Sequence, residues 1–288
     1  MARPARIEWP ERARIAMVLQ LPFEQYERGG AHASKIHLQD LVAVPTLPKE
    51  ITDQGVPDLL AMSWDEYGEQ GLWRLTDLLD RHHVTATGVF SGLAVARYAD
   101  VVTAFKEGGG GREICAHSWA QDIQSYRLDR EQMRENVRKC IEIITNVTGE
   151  RPVGWVSPGG QQNEQTLPVL AEEGFLWHGD YANTDTPFLL RVNDRNMVGM
   201  SVPFHVNDVM YVRERVPPSH YVEMFCRSFD VLYEEGGQVI GAVAHATIYG
   251  HPFGAWAYDQ VIRYAKGFSH VWFANRREIA QWYLEHYA

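Results

Sequence analysis

The sequence predicts an α/β protein built on a closed or nearly closed barrel of parallel strands. Two observations predict it. Strand-like and helix-like segments alternate along nearly the whole chain, and repeated βα units imply a parallel sheet covered by helices. About seven such units in one chain suggest a barrel more than an open sheet. A third observation sets the domain count: nothing in the 288 residues reads as a linker or an internal repeat, so a single domain over 1–288 is expected.

The elements follow in order. Arg14 to Leu21 is an apolar run and reads as a buried strand. Leu72 to Arg81 has the spacing of an amphipathic helix. Thr85 to Phe90 reads as a strand and Tyr98 to Lys106 as a helix. The Gly108–Gly111 run joins that helix to the short strand Glu113 to Ala116 and is too short to separate domains. Asp129 to Thr148 is a long helix, with Asp129 as N-cap and Gly149 as stop. Val153 to Val156 reads as a strand, Asn163 to Glu173 as a helix, Phe175 to Trp177 as a strand and Met200 to Pro203 as another. Pro218 to Glu235 is a helix, Val239 to Ala246 a strand and Tyr258 to Gly267 a helix. Val271 to Ala274 is the last strand and Arg276 to His286 the last helix. The segment from Gln25 to Asp65 is long, mixed and rich in His, Pro and Asp, and reads as a lid or an oligomer contact.

Composition narrows the function. A net charge of −10 opposes a nucleic-acid or anionic-membrane partner, which both need a basic surface. Apolar runs are too short for a membrane span and the N-terminus has no secretory h-region, so the cytoplasm is expected. Cys115, Cys140 and Cys226 are odd in number and widely spaced, and read as reduced structural thiols.

In βα barrels the catalytic groups come from the C-terminal ends of strands and the loops after them. The polar residues there are Glu24, His117 with Trp119 and Gln121, Ser157, His178 with Asp180, His205 with Asn207 and Asp208, and His245. His117 and His245 follow apolar strands at different positions of one barrel. Each could be a hydrogen-bonded structural residue, but together they would converge near the axis, where histidine suits proton transfer. Glu24 is a general base or a solvated loop carboxylate. Asp180 orients a histidine, binds a substrate amide or forms a turn. Asn207-Asp208 reads as a turn or cap pair. Glu66 and Tyr67 supply a carboxylate and a phenol to the pocket, or belong to a helix-entry loop. Ser157-Pro-Gly is not a nucleophile elbow, and no dinucleotide loop or His-Glu-x-x-His is present.

The run Glu113-Ile-Cys-Ala-His117-Ser-Trp-Ala-Gln121 carries half of a metal motif: a helical turn would face His117 toward position 121, which is glutamine. With Trp9-Pro, Arg14-Ile-Ala, Glu66-Tyr-Gly, Trp73-Arg-Leu-Thr-Asp, Gly154-Trp, Gly174-Phe-Leu, Asn207-Asp, His245 and Val271-Trp-Phe-Ala, in that order, the chain resembles the polysaccharide deacetylase (NodB-homology) superfamily. The resemblance implies a distorted (β/α)7 TIM-like barrel. It also implies a late acid, matched by His245. The metal-dependent members' aspartates after the first strand are absent, Gln121 replaces the second histidine, and Val156 stands where an arginine often follows Gly-Trp.

These departures resemble the branch of metal-independent allantoinases and cyclic imide hydrolases. That branch implies a cytoplasmic hydrolase of a small cyclic amide or imide, acting on a carbon–nitrogen bond other than a peptide bond, with no cofactor and a homo-oligomeric state. His117, His245 and Glu24 would be catalytic. Trp119, Gln121, Asp180, Glu66, Tyr67, His178 and His251 would contact the substrate, and none would hold a metal. His251 stands where that branch tends to carry an arginine, so the substrate is expected to differ from allantoin. Three alternatives stay open. One is a metal-free C–C hydrolase, decarboxylase or other proton-transfer enzyme. Another is a zinc-dependent deacetylase, with Glu24, His117 and His205 or His251 as ligands. The last is a non-catalytic binding protein.

Overall fold

The sheet at the centre of the computed structural model is curled and almost entirely parallel. The structure describes residues 6–27 and 47–288. Its strands are β1 (Ile15–Phe23), β2 (Thr87–Phe90), β3 (Glu113–Ala116), β4 (Gly154–Trp155), β5 (Trp177–Tyr181), β6 (Phe188–Val192), β7 (Arg195–Ser201), β8 (Gln238–Val243) and β9 (Val271–Phe273). The order is β6-β7-β5-β4-β3-β2-β1-β8, with β9 also pairing with β1. Among the described residues only β6 and β7 pair antiparallel. An isolated parallel bridge between Asn207 and Val243 links the chain after β7 to β8, so the sheet curls toward closure as a distorted barrel.

Helices cover the outside: α1 (Leu59–His82), α2 (Gly92–Arg97), α3 (Ala99–Glu107), α4 (Arg130–Thr148), α5 (Thr166–Glu172), α6 (Asp208–Arg213), α7 (Pro218–Glu235), α8 (Pro252–Lys266) and α9 (Arg276–Tyr287). Strand side chains alternate between two cores. Met17, Leu19 and Leu21 face outward and pack with Leu72 and Leu75 of α1 and Val261 of α8. Each fully buried leucine of this set contributes about 2 kcal/mol. Val18, Val89, Cys115, Trp177 and Val198 face inward and meet Ile279 and Ala280 of α9. Contacts from the start of α9 to Thr85, Gly111 and Glu113 set it across the N-terminal ends of β2 and β3. The C-terminal ends of the strands are left for a site.

The long helix starts at Arg130 behind Asp129, whose side chain forms a capping box with Gln132, and stops at the left-handed Gly149, as expected. Three expectations need correction. The helix expected from Leu72 begins at Leu59, capped by Asp58, so Glu66 and Tyr67 lie inside α1 and not in an entry loop. Part of the expected 25–65 loop is helical, since a single turn forms over Lys49–Thr52 ahead of α1; residues 28–46 fall outside the described residues. The expectation of strands and helices alone in simple alternation misses the β6–β7 hairpin.

Candidate active site

Glu24 directly follows β1, and its place is fixed by the backbone of Gln25. The Gln25 amide donates to Ser91 Oγ at 3.1 Å, and the Gln25 carbonyl accepts the Gln121 amide at 2.9 Å. The Gln25 side chain donates to the Asp65 carbonyl and accepts from Arg97. The chain ends of β1 and β2 and the loop after β3 are thus tied together around one carboxylate.

His117 follows β3, and Ser118 after it is left-handed with φ 57°. That conformation is strained for a residue with a Cβ, so it needs support. Asn136 of α4 supplies it: its amide donates to Ser118 Oγ at 2.9 Å and its oxygen accepts the Trp119 amide at 2.9 Å. The turn sends His117 inward and Trp119 outward, where the indole lies under Lys139 Nζ, 3.5 Å from the ring centre. Gly92 leaves room for it, because a Cβ there would stand 2.7 Å from Trp119 Cε3. Residues 117–121 therefore form no helical turn, and Trp119 packs in the helix layer instead of beside the histidines.

His245 follows β8, and Asp208 at the start of α6 holds it. Asp208 Oδ2 accepts the His245 amide at 2.7 Å and the Tyr249 amide at 3.2 Å, and Oδ1 meets His245 Nδ1 at 2.6 Å. The carboxylate is buried and fully committed. The side chains then form one row. Glu24 Oε1 lies 3.1 Å from His117 Nε2 and 3.7 Å from His245 Nε2, while His117 Nδ1 lies 2.6 Å from the Val156 carbonyl oxygen.

The partners assign protons. A carbonyl only accepts, so His117 Nδ1 carries a hydrogen, and its Nε2 shares a further proton with Glu24. For Glu24, burial pushes the carboxyl up, but the charge of His245 and the hydrogen bond and charge of His117 outweigh it and leave the pKa below its ordinary value. For His245, burial pushes the ring down, and the Asp208 and Glu24 carboxylates push it up to about 9. At neutral pH the row therefore pairs an ionised carboxylate with an imidazolium, which is a base and an acid side by side.

The other expected residues divide. Gln121 is buried beside Gln25, and its Oε1 has no hydrogen-bond partner among the described residues. His178 and Asp180 are fully buried partners at 2.8 Å, and Asp180 also accepts the Ser157 amide, so both of its oxygens serve the barrel wall. Tyr67 stacks on His251 at 3.7 Å between ring centres, with Trp64 beside the same imidazole, and takes a hydrogen bond from Arg74. Glu66 is exposed on α1. Sequence reading placed Asp208 among the strand-end residues but took it for a turn or cap, and it did not foresee the Val156 carbonyl. Asp208 lies 37 residues from its histidine, and no local spacing marks the pair.

The deacetylase metal triad does not fit these residues. Gln121 offers an amide oxygen where a second imidazole belongs, and His117 Nε2 is engaged by Glu24. The alternative set is not assembled either: His205 is exposed and lines a different cavity, and His251 is held in the aromatic stack. Among the described residues no three His, Cys, Asp or Glu could hold a metal ion together.

Polar side chains gathered at the C-terminal strand ends are where βα barrels carry their sites. The polysaccharide deacetylase family model matches residues 53–176. A structure described as a probable polysaccharide deacetylase from Pseudomonas aeruginosa PAO1 superposes with TM-score 0.87 at 29% identity, covering 99% of this chain and 95% of that one. PuuE allantoinase superposes equally well, with TM-score 0.87, 28% identity and the same coverage. The peptidoglycan deacetylase of Helicobacter pylori is 27% identical over 128 residues, 44% of this chain and 43% of that protein's length. Residues 53–176 thus match a polysaccharide deacetylase (NodB) domain, and the whole chain shares the barrel of these neighbours.

Proposed function

We propose that the protein opens the ring C–N bond of a small cyclic amide or imide, without the deacetylase metal. The observation that carries this reading is Glu24 Oε1 set between two imidazoles, at 3.1 Å from His117 and 3.7 Å from His245. The neighbour named an allantoinase supports the cyclic substrate. Glu24, held by its hydrogen bond to His117 Nε2, takes a proton from water while the water oxygen adds to the ring carbonyl carbon, and later returns that proton to His245. The C–N bond then breaks, and His245 Nε2 gives its proton to the departing nitrogen. Gln121, whose amide oxygen is unused, accepts a ring N–H, and its amide or a backbone N–H faces the developing oxyanion.

The same reading takes a small molecule as partner, and a cytoplasmic homo-oligomer as the working form. Among the described residues no helix is long and apolar enough to cross a membrane. Exposed Leu59, Leu60 and Met62 at the start of α1 support self-association, which a native mass measurement tests.

The roles are tested on a panel of hydantoins, succinimides, dihydropyrimidines and allantoin. His117→Ala and His245→Ala are each expected to lower kcat by about 10²- to 10⁴-fold. Wild-type turnover by both variants would remove the assignment. Stoichiometric zinc in protein purified without a nickel column, with activity lost to chelator and restored by metal, would remove the metal-free part.

A further inference from the structure

A cavity of about 660 Å³ opens between β7, β8 and α7, and none of Glu24, His117, His245 or Asp208 lines it. Its rim carries the exposed residues Phe204 and Val231. Its walls are largely apolar, with Val18, Met200 and Ile240 among them. At its inner end stands Arg276, the first residue of α9, which is only 3% exposed.

Among the described residues Arg276 has no carboxylate in contact. Its Nη2 donates to the Ser201 carbonyl at 2.9 Å, but Nε and Nη1 have no hydrogen-bond partner among the described residues. Those two nitrogens carry three unused N–H donors, and the guanidinium cannot shed its proton. The carboxylates nearest in its field are committed elsewhere. Glu113 accepts from Trp177, Thr87 and the Arg277 amide, and Asp180 from His178 and Ser157. No carboxylate of the described residues lies within 4.0 Å of the guanidinium. Buried charges are ordinarily paired, and unpaired ones are strongly unfavourable.

We propose that this cavity is a second binding site, separate from the strand-end row, for an amphipathic monocarboxylate: the carboxylate meets Arg276 and the apolar body fills the space toward α7. The anion supplies the missing acceptors and the countercharge, and the apolar walls exclude a bare inorganic ion as the preferred occupant. Substrate chemistry at Glu24 is not involved, so the site stands whether or not ring opening is the reaction.

Calorimetric titration with octanoate, and with 1-octanol as the uncharged control, tests it on the full chain. Saturable octanoate binding is expected in wild type, at least about tenfold tighter than octanol. Arg276→Gln should lose that preference. Val231→Trp, at the exposed rim, should block octanoate while the melting temperature holds, and it decides the matter if the arginine variant does not fold. His245→Ala should bind octanoate as wild type does. Equal binding of octanoate and octanol, no saturable binding at millimolar octanoate, unchanged octanoate binding in Val231→Trp, or loss of binding in His245→Ala would each overturn the proposal.

Discussion

Asp208→Asn is the substitution that most sharply separates a working acid from a buried ornament. The ring of His245 is raised from 6.5 to about 9 by two carboxylates, Asp208 at 2.6 Å and Glu24 at 3.7 Å. That rise of about 2.5 units corresponds to about 3.4 kcal/mol of preference for the imidazolium. Coulomb attraction falls with distance, so Asp208 supplies roughly 60% of the attraction. Burial, which pushes the ring down, stays in place when that charge is removed. The titration is therefore expected to lose more than half of its rise. At pH 8 the protonated fraction then drops from about nine-tenths to a minority. Asparagine also has a single acceptor oxygen for the four N–H groups that Asp208 satisfies, so about 1–3 kcal/mol of stability is lost as well. The assay is a pH titration of the His245 ring by NMR, which needs no substrate, with the alkaline limb of the pH–rate profile beside it. A ring that still titrates near 9 in Asp208→Asn refutes the reasoning.

Further outcomes follow from the same geometry. Gln121→Leu should raise KM by roughly ten- to a hundredfold, since a substrate N–H loses its acceptor, while the melting temperature holds or rises because an unpartnered oxygen leaves the interior. Gly71→Ala should cost about 1–3 kcal/mol in urea unfolding and depress turnover, because its Cβ would stand 1.9 Å from the Ala246 carbonyl oxygen, next to His245. Unfolding free energy should also decline at alkaline pH. The pKa of His245 is raised on folding, so its stabilisation is complete below 6.5 and fades as pH rises through about 9. His245→Gln should flatten that decline; an unchanged slope would assign it to other groups. Glu24, with a lowered pKa, adds stability above its ordinary value that fades as pH falls through its folded value.

Much of the barrel was legible because its strands are buried apolar runs. β1, β2, β3 and β8 fall where those runs fall, and Asp129 and Gly149 mark the ends of α4 by their capping chemistry. The start of α1 was hidden for two reasons. Leu59, Leu60 and Met62 are exposed, so they show no inward stripe, and Gly68 and Gly71 look like breakers. Gly71 is required by the close approach to Ala246, a contact no local pattern announces. The β6–β7 hairpin did carry a signal: Val192 pairs with Arg195 across Asn193-Asp194, and Asn193 is left-handed. In the site, the rule that chemistry sits at strand ends found Glu24, His117 and His245. It reached Asp208 too, but could not assign it to His245, because locally it reads as a cap. It also could not foresee that the left-handed Ser118 turns Trp119 away from its neighbour.

If Glu24 and His245 hydrolyse a ring C–N bond without a metal, water supplies the oxygen of the opened ring and no chelator stops it. The most direct measurement follows ring opening in ¹⁸O-water by chelator-treated protein. We expect one solvent oxygen in the opened product, with turnover kept after chelation and lost in Glu24→Gln. A product without solvent oxygen, or activity that vanishes with the chelator and returns with zinc, would rule out metal-free hydrolysis.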